Sequence, residues 1–536
     1  MNAYKFCEFA KIVSFFNPLT PCGRVYRENL PFYSDAAELK IRHAGVSAAL
    51  DFIKKKKIKA DRVKYHLKNV PYIDFSKKEL DITDLFLYKK FLNNFRQITL
   101  ALGKKENDFF KTGWDSDELL SLISADSKDD TFYLADSHDP ELAAVRKEIA
   151  SVSKGITEHK KEFFPLIKKE TGLDFSDLDF LVIPANKKAE IKQELVNLDP
   201  YDSSSLVAKP RFGEKYFELS AKRDALIRTE RELEAKIISR ITGKIFKNLE
   251  KIKLYLEAVA SADIAFAAAD MALKLGLSEP ALNSGELECK GAFFIPLKME
   301  LEKMNIRYTP LNFRFSRRLN IISGSNMGGK TVVLKTLAQL QLMAQSGFFV
   351  PAEKFRSGLF AGVFFNGSPE ENIAGLSGFG MEINDFIDIC SQKGGPVMIF
   401  MDEFGKTTNV LEAEALVSAI LENFSGSEGK HLFLSTHFSN IKLPRNADFL
   451  AMKGFNKEKF NRYFGEMKTE NLKEKLKMIN RYMDYELVKM KEQKIFFDAL
   501  NIAGILGLPK DIFEKALRHM EEKDENGKKQ AGTLKS

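Results

Sequence analysis

The chain has 536 residues, 44% of them hydrophobic and 29% charged, a formal charge of +8 and four cysteines. That length exceeds one hydrophobic core, and that composition excludes a disordered polyelectrolyte, so several globular domains are expected. No stretch approaches the roughly 18 consecutive apolar residues of a membrane span. Met1 to Glu8 holds no apolar run ending in a cleavage site, which makes the cytoplasm the expected location. Cys7, Cys22, Cys289 and Cys390 show no C-x-x-C spacing and read as reduced thiols, with neither zinc nor a disulfide framework.

Residues 1–128 read as a mainly helical core. Ala36 to Ile53 carries Leu39, Ile41, Ala44, Ala48, Leu50 and Ile53 on a helical period, and Asp84 to Leu102 repeats that pattern. The densest basic cluster, Lys54 to Lys57 with Lys59, lacks the interleaved aromatics of a base-stacking surface. Residues 129–275 read as two long helices around a small tip. Ser137 or Asp139 can cap the first, with Pro140 opening it and Glu141 in its first turn. Its stripe runs through Val145, Ile149, Val152 and Ile156 to about Ile167, about 40 Å of helix, and stops near Gly172. Phe180 to Pro184 and Tyr216 to Leu219 suggest two short strands separated by a loop-rich segment. A second helix from Ser220 to about Leu275 can return antiparallel, giving a coiled-coil lever.

Residues 276–460 carry the chemistry. The apolar strand Leu319 to Ile322 runs into Gly324-Ser325-Asn326-Met327-Gly328-Gly329-Lys330-Thr331, and a helical run from Val332 to Ala338 follows. This is G-x-x-x-x-G-K-[ST] in its required strand–turn–helix setting. Glycines let successive N–H groups curl around phosphate oxygens, and the helix N-terminus adds partial positive charge. Lys330 is then expected to reach the β and γ phosphates of ATP, and Thr331 Oγ1 to ligate Mg²⁺. Some 70 residues on, Pro396 to Met401 is an apolar run ending in Asp402 and Glu403, as in a buried parallel strand delivering carboxylates at its C-terminal edge. Asp402 is expected to hold the Mg²⁺ and Glu403 to orient or deprotonate the attacking water. A third strand, His431 to Thr436, stops at His437, where a γ-phosphate sensor would stand.

Together, Gly324 to Thr331, Met401-Asp-Glu-Phe-Gly-Lys-Thr-Thr-Asn409 and Ser435-Thr-His-Phe438 resemble the MutS family of ATPases, within the ABC-type P-loop class. Leu376 to Ile383 is similar to that family's signature loop. The resemblance implies an α/β P-loop (ABC-type) ATPase domain, preceded by a largely α-helical core with a long coiled-coil lever. It implies dimerisation through the nucleotide sites, as a homodimer or with a MutS-like paralogue, Ser377 acting in trans on the partner's γ-phosphate. Residues 129–275 are similar to the lever and clamp of the short MutS-like branch without a mismatch-reading domain. Ala499 to Pro509, within 461–520, resembles the family's closing helical dimerisation element, and 521–536 reads as a disordered tail.

Departures from the pattern are local. Glu288 to Phe293 replaces a G-R-H-P element, no aromatic stands at the adenine-stacking position near Ile306, and Lys406 replaces an arginine of the dimer-contact loop. Phe6-Cys7-Glu8 matches the F-x-E wedge tripeptide of mismatch readers but has no such domain around it. Two clients are compatible with the resemblance. One is DNA, clamped by its backbone with little base readout. The other is a protein, as in the reactivating factor of cobalamin-dependent lysine aminomutase.

Overall fold

The structure is a computed structural model that describes residues 3–124, 134–176, 178–282, 285–325, 328–367, 378–392, 394–456, 479, 481–490 and 498–519. The chain divides into two compact units, Met1–Lys64 with Ala260–Ser536, and Tyr65–Val259.

In the Tyr65–Val259 unit, the helix Ile82–Leu102 opens on a reciprocal capping box between Asp81 and Asp84. It buries Phe91, Leu92, Phe95 and Ile98, and Phe95 stacks on Tyr255 with ring centroids 4.2 Å apart. The 32-residue helix Pro140–Thr171 starts at Asp139, whose carboxylate accepts from the Glu141 N–H, and ends at Gly172 in the left-handed region (φ 71°). Proline at the first helical position and glycine just past the last turn explain both boundaries.

A second long helix, Glu214–Lys247, runs antiparallel to it. Arg146 fastens the pair, donating to Glu230 at 2.8 Å and Glu234 at 2.6 Å, and also to Asp136 on its own side. Further along, Lys222 pairs with Glu148. Between the helices lies a three-stranded antiparallel sheet with Ser205–Pro210 between Leu181–Pro184 and Val196–Pro200. Its inner face packs Ile183, Val196, Leu206 and Ala208 on Ile167 and Phe175.

Two sequence expectations change here. Tyr216 to Leu219 is the first turn of the helix Glu214–Lys247, not a strand. Its short apolar alternation is outweighed by Gly213 ahead of it and by Tyr216 stacking on Phe212, centroids 3.8 Å apart. The segment read as one helix to Leu275 is also two helices, Glu214–Lys247 and Leu249–Leu275, interrupted at Asn248.

In the other unit a six-stranded sheet has the order Met483–Lys489, Ala447–Phe455, Leu319–Ser323, Lys430–Thr436, Val397–Asp402, Gly362–Gly367. All neighbours are parallel except the first pair. Leu319–Ser323 is wholly buried, as expected of a parallel strand covered on both faces. Helices Gly378–Ser391 and Val410–Ser425 contribute Ile389, Val417, Leu421 and Phe424 to the core against Ile399, Met401, Leu432 and Leu434. A smaller antiparallel sheet joins Leu287–Ala292 to Leu311–Phe315 and Lys354–Arg356.

Cys7 and Cys289 are buried, and burial pushes both thiols up to about 12. Among the described residues no helix is long and apolar enough to cross a membrane. Lys54 to Lys57 and Lys59 are solvent-exposed. Phe6 is buried and stacked on Phe365, so the F-x-E tripeptide presents no wedge.

His431 packs edge-on against Phe360, with centroids 5.0 Å apart. Burial, helped by Arg318, lowers its pKa from 6.5 to about 4. The unfolded chain therefore binds a proton between those values that the folded chain refuses, so stability falls on acidification through this window. Urea unfolding of wild type and His431→Phe at pH 7.5 and 5.0 should show the variant spared about 2 kcal/mol of the acid loss.

Candidate functional site

The parallel strands Leu319–Ser323, Lys430–Thr436 and Val397–Asp402 end together. Ser435 is level with Asp402 on one side and with Ile322 on the other. The loop leaving the first strand contains Gly324 at φ 150° and Gly329 at φ 92°, after which the helix Lys330–Gln345 begins. A Cβ at Gly324 would stand 3.2 Å from Met452 Cβ, and one at Gly329 would stand 3.2 Å from Tyr485 Cδ1. A Cβ at Gly328 would lie 3.1 Å from the Ser325 carbonyl oxygen. The loop is thus built around the missing side chains.

Lys330 is 3% exposed and donates to the carbonyls of Gly324 at 2.7 Å and Ser325 at 3.0 Å. Burial pushes its ammonium below the usual lysine value, against the opposing pull of Glu403 and Asp402. Ser325 Oγ is buried and makes no hydrogen bond among the described residues. A buried hydroxyl of this kind, beside a buried ammonium at a helix N-terminus, fits a phosphate. Thr331 Oγ1 donates to Asp402 Oδ2 at 2.9 Å, so hydroxyl and carboxylate already share the position where a hard, oxygen-ligated cation such as Mg²⁺ fits.

Ser435 ties the acids together, a role that its place in the S-T-H-F motif does not reveal. Its hydroxyl donates to Asp402 Oδ1. The Glu403 N–H donates to both Ser435 O and Oγ, each at 3.1 Å. Glu403 sits at φ 51°, strained for a residue with a side chain. Its carboxylate meets Lys406 at 2.8 Å and Lys330 at 3.7 Å. Burial alone would raise the Glu403 carboxyl, but Lys406 and Lys330 outweigh it and hold it below the usual carboxylate range. His437 is exposed at the end of its strand, and its charge acts on Glu403 in the same direction. Asn326, Met327 and Ser377 lie outside the described residues.

Two cavities flank the loop. One of about 210 Å³ is apolar, lined by Leu297, Leu301, Tyr308, Gly329, Val333 and Tyr485. The other, of about 520 Å³, holds Thr331, Asp402, Glu403 and Lys406. The helix Lys330–Gln345 contributes Val332, Val333 and Thr336 to the first and Thr331 and Lys335 to the second. The arrangement suits a ligand with a flat apolar end and a polyanionic end.

Residues 320–523 match MutS domain V. Over this stretch and beyond it the chain is similar to the MutS family. It is 25% identical over 463 residues to Endonuclease MutS2 of Solidesulfovibrio magneticus, covering 84% of this chain and 56% of the relative. Endonuclease MutS2 of Caldanaerobacter subterraneus subsp. tengcongensis is 27% identical over 390 residues (67% of this chain, 47% of the relative). That of Pelotomaculum thermopropionicum is 27% identical over 444 residues (78% and 52%). The chain spans about half the length of these MutS relatives.

Tyr308, two residues beyond Ile306, and Tyr485, from the far edge of the sheet, both line the apolar cavity. Tyr308 is fixed there by accepting from the Phe294 N–H at 3.0 Å. Tyr308 lies close to Ile306 in the sequence, but nothing local marks Tyr485.

Behind the acid pair, Gly405 adopts φ 79° and donates its N–H to buried Glu382 at 2.9 Å. A Cβ at this glycine would stand only 3.0 Å from Ala413 Cβ. Gly405→Ala should therefore cost about 1–2 kcal/mol in urea unfolding. It should also disturb the turn that holds Lys406 on Glu403.

Proposed function

We propose that this chain is a MutS-like ATP hydrolase that couples ATP binding and hydrolysis to action on DNA. The observation that carries the reading is the phosphate loop lying between an apolar cavity sized for a base and a cavity lined by Thr331, Asp402 and Glu403. In this reading residues 276–460 are the P-loop ATPase domain. Residues 1–128 are the helical core, 129–275 the lever helices and clamp-like tip, and 461–520 the dimerisation element.

The base lies between Tyr308 and Tyr485. Lys330 exchanges its two carbonyl acceptors for β and γ phosphate oxygens. Thr331 and Asp402 would hold Mg²⁺, which when bound neutralises phosphate charge. Glu403 orients the attacking water and takes its proton, and it must leave Lys406 to do so. His437 stands by the γ-phosphate. Ser377 reaches the nucleotide of a partner, a second copy or a MutS-like paralogue, so that hydrolysis alters the interface and the levers open or close.

The relatives' name, Endonuclease MutS2, supports DNA as the client rather than an aminomutase.

Glu403→Gln should retain ATP binding and accumulate a nucleotide-bound dimer in size-exclusion chromatography, while turnover falls about 10²-fold or more. Unchanged steady-state turnover would remove Glu403 from the mechanism. Equilibrium binding of homoduplex, mismatched and branched DNA, with and without ATP, tests the client. A protein making about six phosphate contacts should lose about 10³-fold in affinity between about 50 and 200 mM salt. Intact ATPase activity without DNA binding at low salt would reject DNA and turn the search to a protein client.

A further inference from the structure

Part of the wall of the cavity that holds Asp402 and Glu403 comes from residues 5–11, a segment that carries no nucleotide-binding motif. The short helices Ala3–Phe6 and Phe9–Val13 pack there, held by Phe6 stacked on Phe365 with centroids 3.7 Å apart and 12° between planes. Between them Glu8 occupies the left-handed region, φ 53° and ψ 40°. That conformation is costly for a residue with a side chain and persists where surrounding contacts impose it.

Backbone bonds from the Glu8 N–H to Lys5 O and from the Lys11 N–H to Glu8 O close the turn, and two ion pairs hold its side chain. The Glu8 carboxylate accepts from Lys11 at 2.6 Å and from Lys335 at 3.1 Å. Lys335 stands four residues after Thr331 on the same face of the helix Lys330–Gln345. Glu8, Asp402 and Glu403 therefore line one cavity with Thr331 and four lysines, Lys5, Lys11, Lys335 and Lys406.

We infer that Glu8, through Lys335, sets the relative affinity of the site for triphosphate over diphosphate. This rests on the reading of the site as an ATP site. Glu8 is a third carboxylate in a cavity that also holds Asp402, Glu403 and four lysines, and it occupies Lys335, one of those cations. A diphosphate ends one phosphoryl group short of the acid pair and makes no demand on Lys335. A triphosphate is bound when Lys335 turns from Glu8 to the γ-phosphate, and so competes with Glu8 for that cation. Glu8 is thus a positioning residue, acting on the nucleotide through Lys335.

The test is competition of the non-hydrolysable analogue adenylyl imidodiphosphate, and of ADP, against a fluorescent ADP analogue on the full chain with Mg²⁺. Glu8→Gln should tighten the triphosphate analogue roughly three- to tenfold and change ADP affinity by less than about twofold. Glu8→Asn removes the charge with a residue that tolerates the left-handed region, and should do the same. Glu8→Asp, which keeps the charge, should keep the wild-type ratio, and Lys335→Met should weaken the triphosphate selectively. An unchanged ratio in both Glu8→Gln and Glu8→Asn, with wild type binding both nucleotides, overturns the inference. Failure of wild type to bind either nucleotide overturns the ATP reading itself, and this assignment with it.

Discussion

The candidate site depends on parallel pairing in one register. Because Leu319–Ser323, Lys430–Thr436 and Val397–Asp402 run the same way and end level, their C-terminal ends deliver a glycine loop, a hydroxyl and two carboxylates to one edge of the sheet. A slip of one residue would turn Ser435 and Asp402 to opposite faces and separate the acids from the loop. Burial of these strands under apolar side chains specifies that register. The core energetics and the site geometry are consequently the same constraint.

On that frame the polar groups form a network in which charge is balanced within the protein. Lys330 satisfies itself on the loop carbonyls, Thr331 on Asp402, and Glu403 on Lys406. Each of these bonds pairs a polar or charged group within the protein, so that neither the buried ammonium of Lys330 nor the carboxylates beside it are left without a partner. The left-handed backbone at Glu403, beside Gly405 in the same region, keeps the carboxylate aimed across the strand ends. Glu382 secures that turn from below through the Gly405 N–H.

In the Tyr65–Val259 unit the organising contact is different in kind. Two helices of 32 and 34 residues bury only a thin stripe each, Leu142, Val152, Ile156 and Ile167 on the first. Arg146, one guanidinium shared among Asp136, Glu230 and Glu234, fixes their relative position with directional bonds where apolar contact is sparse. At the other end the small sheet packs on Ile167 and Phe175 and makes a second fixed point.

What the sequence determined by itself is local. The glycine-rich loop, the acid-ended strand, the capped helix at Asp139 and Pro140, and its stop at Gly172 all follow from residues adjacent in the chain, because backbone freedom, capping and side-chain period act over a few positions. The same locality explains the misread Tyr216 to Leu219, whose four residues carry too little period to tell a strand from a first helical turn, and the break missed at Asn248. The tertiary structure alone decided that Tyr485 faces the loop from an edge strand, that Ser435 bridges the two acids, that Glu382 holds Gly405, and that Glu8 enters the cavity from more than three hundred residues away. Those contacts depend on strand order and on packing between distant segments, neither of which leaves a periodic trace in the chain.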